Sequence, residues 1–243
     1  MIARLFALVL LALAATATAA EAQEETHRPQ VVVELYTSQG CTQCPRANRL
    51  LGRFSHEDGV LALTFAVGIW DYLGWSDTFA QPAFGDRQRA YSRALRVRGR
   101  FTPQLVMNGA RQVSASDWDD ARAALEESRA APRHENAPDI TISRLRNNRV
   151  RVTVGSGRPT HADIWLVAFD PGPLTVVVAG GVNVNRTVAH YNVVRTIERI
   201  DTWNGTATWF ERPRCTPECA VIVQEPDGGR ILSAAYTYRA GRY

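Results

Sequence analysis

The stretch VVVELYT (31–37) is an apolar run broken only by Glu34, and a second run of the same kind, LALTFAV, occupies 61–67. Runs of this length without polar alternation read as strands buried on both faces. Between them lies CPRANRLLGRF (44–54), which places Leu50, Leu51 and Phe54 on one side of a helix. Strand, helix and strand in that order form a parallel βαβ unit, and this commits the first half of the chain to a layered α/β arrangement.

The same half continues with a longer aromatic segment, a helix from Pro82 to about Val97, and PQLVMNG (103–109) as a strand ending in an Asn-Gly turn. Its last helix runs from about Asp117 to Arg129, with Asp117 as N-cap and Trp118, Ala121 and Leu125 at helical spacing. APRHENAPD (131–139) reads as a linker. Beyond it the pattern changes to short β-branched runs: ITISRL, RVRVTV, DIWLVAFD, LTVVVAGG, NVVRTIERI, TATWF, AVIVQE and ILSAAYTY, separated by Gly, Pro, Asn or Asp. No helical period competes with them. The expectation is an α/β domain over 30–132 and an all-β antiparallel sandwich over 138–243.

Residues 1–22 carry Arg4, an uncharged apolar stretch from Leu5 to about Ala15, and small residues offering cleavage sites near Ala19 or Ala22. This is the pattern of a secretory signal peptide, too short for a membrane span of about 20 residues, and no later segment could be one. The mature chain is expected to be periplasmic or secreted. All 28 basic residues are arginine, and the net charge of +4 is spread along the chain. No basic run interleaved with aromatics appears, which argues against a nucleic-acid partner. Four cysteines in an exported chain make disulfide chemistry the default.

Cys41 and Cys44 stand two residues apart between the first strand and its helix, with Pro45 where a missing N–H costs little. A thiolate at Cys41 would face unpaired backbone N–H groups and the positive end of the helix dipole, which lowers its pKa. The spacing lets Cys44 attack a mixed disulfide on Cys41, so the pair can cycle between dithiol and disulfide. Pro103, opening a later strand, would lie beside the pair if its peptide bond were cis.

With these two motifs the segment from about 30 to 130 resembles the thioredoxin-like superfamily, whose members pair C-x-x-C at a helix start with a cis-proline before the third strand. The resemblance implies a thioredoxin-like domain, with Glu34 near the position of a buried carboxylate that passes a proton to the resolving cysteine. Thr42 and Gln43 depart from the usual Gly-Pro, and no tryptophan precedes Cys41. Redox potential depends on those central residues, so the direction of electron flow stays open. Over essentially the whole mature chain, VELYTSQGCTQCPRAN, WDYLGWSDTFAQPAFGDRQRAYSRAL, FTPQLVMNG and VNVNRTVAHYNVVRTIERIDTWNG are similar to the secreted bacterial proteins grouped as domain of unknown function 1223. That family has no assigned reaction.

The insertion IWDYLGWSDTFAQPAF (69–84) could bring Trp70, Tyr72, Trp75 and Phe79 over the cysteines, with Asp71 or Asp77 as a cap or a substrate contact. Packing at the domain interface is the other use of such aromatics. Cys215 and Cys219 would be about 13 Å apart on an extended strand, so a structural disulfide between them needs the turn that Pro213 and Pro217 favour. A second redox pair or a four-cysteine zinc site are the alternatives. His27, His56, His134, His161 and His190 lack the spacing of a hydrolase or metal site and read as surface or core residues.

The sequence therefore points to an exported thiol-disulfide oxidoreductase acting on protein thiols or a redox partner, without a cofactor. Cys41 is the nucleophile, Cys44 resolves, and Glu34 relays a proton. Thr102, Pro103, Trp70, Asp71 and Trp75 shape the substrate groove, and the sandwich selects or positions the partner. The alternative is a non-catalytic thioredoxin-like scaffold with structural disulfides that binds a partner protein or a metal, copper being held by Cys41, Cys44 and a distant histidine.

Overall fold

In the computed structural model, which describes residues 26–145, 149–213 and 217–237, strands β2 (Val31–Thr37) and β3 (Val60–Ala66) pair in parallel from Val31 opposite Val60 to Thr37 opposite Ala66. Every residue of both strands is buried. Helix α1 (Cys44–Phe54) makes the crossover, with Pro45 in its first turn and Leu50, Leu51 and Phe54 turned inward. β4 (Gln104–Met107) lies antiparallel to β2 and turns through Asn108 and Gly109, both at positive φ, into β5 (Arg111–Ser114). That is the hairpin turn the Asn-Gly pair favours. Between β3 and β4 runs α2 (Pro82–Ala94). α3 (Trp118–Ala130) begins at Asp117, whose carboxylate accepts from the Asp119 and Asp120 N–H groups at 2.8 and 3.1 Å.

The second half supplies β6 (Ile140–Arg144), β7 (Arg149–Val154), β8 (Ala162–Asp170), β9 (Leu174–Val177), β10 (Thr187–His190), β11 (Val193–Trp203), β12 (Thr208–Pro213), β13 (Glu218–Gln224) and β14 (Ile231–Thr237). With the short β1 (Thr26–His27), four of these join the strands of the first half in one mixed sheet, in the order β1-β14-β13-β8-β11-β3-β2-β4-β5. The joint is β11 against β3. Val193 pairs in parallel with Thr64, whose N–H and hydroxyl donate to the carbonyls of Asn192 and Tyr191 at 2.9 and 2.6 Å, while Asn192 Nδ2 donates to the Ala62 carbonyl at 2.8 Å.

This overturns the expected α/β thioredoxin-like domain followed by a separate antiparallel sandwich. β8 and β13 are interior strands of a nine-stranded sheet that both halves build, and β13 is buried on both faces along its whole length. β6, β7 and β12 form a three-stranded layer, and β9 with β10 a two-stranded ribbon.

The sheet curls until its flanks meet at one end, where the Ile231 N–H donates to the Asn108 carbonyl at 2.9 Å. Its inner face holds Tyr36, Leu63, Phe65, Val106, Phe169 and Ile222, packed with Phe84 and Tyr91 of α2. Burying each of these phenylalanines contributes about 1.5–3 kcal/mol. The outer face is covered in two parts: α1 and α3 lie over β2 to β5, and the three-stranded layer lies over β8, β11, β13 and β14. Among the described residues no helix is long and apolar enough to cross a membrane. The expected signal segment, 1–22, lies outside the described residues.

Candidate functional site

Where β2 gives way to α1, the chain makes a tight loop: the Cys41 N–H donates to the Ser38 carbonyl at 3.1 Å and the Cys44 N–H to the Cys41 carbonyl at 3.3 Å. This brings the two Cα atoms to 5.3 Å, and the sulfurs are joined as a disulfide. Cys44 is fully buried, whereas Cys41 is 5% exposed and reaches the wall of a groove of about 290 Å³. Gly40, Thr42, Gln43 and Thr102 also line this groove, with Trp70, Leu73 and Val182 completing it. A Cβ on Gly40 would stand 3.0 Å from Trp70 Cβ, so a larger residue there would press the insertion a few tenths of an ångström away from the loop.

Two segments distant in sequence hold the loop. From the insertion, Asp77 accepts the Gln39 N–H at 2.7 Å, and Trp75 Nε1 donates to Gln39 Oε1 at 2.8 Å. Burial pushes the Asp77 carboxyl up from its ordinary range, partly offset by the Gln39 and Phe79 N–H groups that favour its charge. Trp70 Nε1 donates to Thr102 Oγ1 at 2.7 Å, and the Thr102–Pro103 peptide is cis. From the second half, Asn183 is fully buried, and its Nδ2 donates to the carbonyls of Gln39 and Cys41 at 2.9 and 2.8 Å. One turn into α1, Asn48 accepts from Thr37 Oγ1 and donates to the Ala189 carbonyl.

Of the residues singled out in the sequence, Cys41, Trp70 and Thr102 share the groove. Pro103 is buried behind Thr102, and Trp75 braces the loop through Gln39. Asp71 accepts the Asp77 N–H at 3.1 Å and so orders the insertion from within. Phe79 packs edge-on against the buried His190 and under the Arg195 guanidinium.

Glu34 is not brought to the cysteines. Val33 and Leu35 face α1, so Glu34 leaves β2 on the inner face of the sheet, where Arg87 Nε and Nη2 donate to its two oxygens at 2.8 and 2.7 Å. The Tyr36 and Tyr91 hydroxyls donate to the same carboxylate, each at 2.8 Å. Burial, and then the charge of Glu34, raise the pKa of Tyr36 well above its usual value and keep the hydroxyl protonated. Burial alone would lower Arg87, but Glu34, together with Tyr91 and Tyr36, outweighs it and the guanidinium stays charged. The expected proton relay gives way to a structural ion pair.

Leu73, Val182, Gln39 and Asn183 escaped the sequence reading. All four nevertheless lie in the stretches that carry the family resemblance, Gln39 in VELYTSQGCTQCPRAN, Leu73 in WDYLGWSDTFAQPAFGDRQRAYSRAL, and Val182 and Asn183 in VNVNRTVAHYNVVRTIERIDTWNG. Cys215 lies outside the described residues, and with it the expected Cys215–Cys219 pairing; Cys219 is buried on β13. Among the described residues no three His, Cys, Asp or Glu side chains converge in a metal-binding group.

The architecture is similar to that of a protein from Agrobacterium tumefaciens solved by X-ray crystallography, with a TM-score of 0.74 and 26% identity over 89% of this chain and 98% of that one. No curated protein matches the chain. The loop, α1, the groove and the Asn183 clasp all fall within residues 32–224, the span that matches the family described as "Protein of unknown function (DUF1223)", and the chain belongs to that family.

Proposed function

We propose that the chain exchanges disulfides with protein thiols through Cys41 and Cys44, outside the cytoplasm. The observation that carries this reading is the unequal burial of a disulfide in a groove: Cys41 reaches the wall, and Cys44 lies sealed beneath it. A substrate thiolate can approach only Cys41 Sγ. Its attack breaks the Cys41–Cys44 bond, joins the substrate sulfur to Cys41 and releases Cys44 as a thiolate at the start of α1, where the helix dipole favours negative charge. A second substrate thiolate then attacks the substrate sulfur of the mixed disulfide and expels Cys41 as a thiolate. The substrate has lost two electrons and two thiol protons, and the pair has gained the electrons as a dithiol. The same steps reversed reduce a substrate disulfide, and the difference between the two reduction potentials sets the direction. The leader-like residues 1–22 support a location where disulfides persist.

The test is a titration of the protein in glutathione buffers, with the Cys41–Cys44 pair read by alkylation and mass spectrometry in a Cys215→Ala/Cys219→Ala background. Ready exchange with a midpoint between about −120 and −270 mV is expected of a working centre. A pair that stays oxidised beyond about −300 mV, or exchanges only after unfolding, overturns the reading and leaves a structural disulfide.

A further inference from the structure

Among the described residues six large apolar side chains are exposed, and five of them, Tyr72, Leu73, Val177, Val182 and Val184, lie on or beside two short 3-10 turns at the groove. The turn Asp71–Leu73 comes from the insertion, and the turn Gly181–Asn183 from the connection between β9 and β10. The two turns are in contact: a Cβ on Gly180 would stand 2.5 Å from the Gly74 carbonyl oxygen, and one on Gly181, at φ +67°, 3.3 Å from that of Leu73. The Asn185 N–H donates to the Val178 carbonyl and the Val184 N–H to that of Gly181, which folds Val177, Val182 and Val184 into one small hairpin. Leu73 and Val182 are also walls of the groove that ends on Cys41, so the exposed apolar rim is continuous with the disulfide.

We infer that the substrate is a polypeptide segment with large uncharged side chains beside its cysteine, as an incompletely folded chain presents them. This rests on the exchange reading of the same site. The groove ends on a disulfide, so its occupant brings a sulfur. None of its lining residues is charged, and a charged flank entering it would lose water without gaining a partner. At about 290 Å³ the groove holds a side chain or two rather than a domain, which leaves the neighbouring residues of the segment to lie on the rim. Exposed apolar groups gathered in one place, with the rest of the described surface nearly free of them, mark such a contact.

The experiment measures how fast single-cysteine peptides of equal length reduce the Cys41–Cys44 disulfide of the full chain. In one peptide the cysteine is flanked by Leu and Phe, and in the other by Asp and Ser. Each rate is divided by that peptide's rate with oxidised glutathione, which removes differences in thiol reactivity. The expected result is a preference of about tenfold or more for the apolar peptide. It should fall towards unity in Leu73→Ser/Val182→Ser/Val184→Ser and persist in Trp209→Ser, which alters the sixth exposed apolar residue on β12. Equal rates for the two peptides, or a preference that the triple variant keeps, overturn the inference while leaving exchange intact. A stable dimer of the wild-type chain that the triple variant abolishes would assign the rim to a second copy and overturn it as well. No exchange with either peptide or with glutathione overturns the exchange reading itself.

Discussion

Asn183 Nδ2 lies 2.8 Å from the carbonyl oxygen of Cys41, although 142 residues separate the two in sequence. The same nitrogen satisfies the Gln39 carbonyl, so one fully buried amide from the second half closes the loop that the first half uses to present its cysteines. Asn183→Ala leaves the buried Gln39 carbonyl without its donor and the Cys41 carbonyl with only the Cys44 N–H, and should cost about 1–3 kcal/mol in urea unfolding. Asn183→Asp puts an acceptor against two acceptors and should cost more. If Asn183→Ala unfolds within about 0.5 kcal/mol of wild type, the amide does not hold the loop.

Glu34 and Arg87 make the opposite kind of contact, an ion pair sealed inside the curled sheet, with the guanidinium also lying over the Phe65, Tyr91 and Trp165 rings. Removing one partner strands the other charge. Arg87→Met and Glu34→Leu should each cost about 3–5 kcal/mol, while the double variant should recover much of the loss. A double variant as unstable as the sum of the singles would show that the two residues act independently.

Much of this architecture was legible one element at a time. VVVELYT and CPRANRLLGRF coincide with β2 and α1, Asp117 caps α3, and each of the eight β-branched runs after the linker holds a strand. What could not be read was which strands pair. A sandwich follows if sequence neighbours are assumed to associate, but ECAVIVQ is buried at all seven positions, the mark of a strand covered on both faces inside a larger sheet. The parallel seam at Val193 and Thr64 joins residues 129 apart, and no local pattern announces it. The site divided the same way. Cys41 and Cys44 are visible from spacing, whereas Val182 reaches the groove, and Asn183 the cysteine loop, only because the connection between β9 and β10 is carried onto the residues ahead of α1. Glu34 was placed by analogy along the chain, but the two-residue period of β2 turns it to the other face.

Gly52 offers a check on how α1 is seated. A Cβ there would stand 2.7 Å from the ring of Tyr191, in the segment that links β10 to β11 and anchors to Thr64. In an isolated helix, alanine is favoured over glycine by about 1 kcal/mol. Here Gly52→Ala should instead destabilise, by about 1–3 kcal/mol, because the helix or the ring must move. In a Tyr191→Ala background the sign should reverse and the helix preference should return. A Gly52→Ala protein more stable than wild type would mean that the ring yields freely.

His190 should make stability depend on pH. It is fully buried on β10, meets the edge of the Phe79 ring, and burial lowers its pKa from 6.5 to about 4; the nearby Val188 and Leu174 carbonyls oppose this only in part. The folded chain thus keeps the imidazole neutral at pH values where the unfolded chain protonates it. The stability linked to this group is fully present above about pH 6.5, is lost as the pH falls through the interval down to about 4, and changes no further below it. Between pH 7 and 4.5 the loss should reach about 2–3 kcal/mol. His190→Phe lacks the titrating group, so its unfolding free energy should fall less over that interval by this amount, whatever its value at pH 7. Urea unfolding of both proteins at pH 7.0, 5.5 and 4.5 supplies the comparison, and parallel lines would show that His190 is protonated equally in the folded and unfolded chains. Because the Ala189 carbonyl is bound to Asn48 on α1, acid loosening at His190 should reach the helix that begins with Cys44 before it reaches the centre of the sheet. Hydrogen exchange at pH 5 should accordingly show α1 and β10 losing protection ahead of β8 and β13.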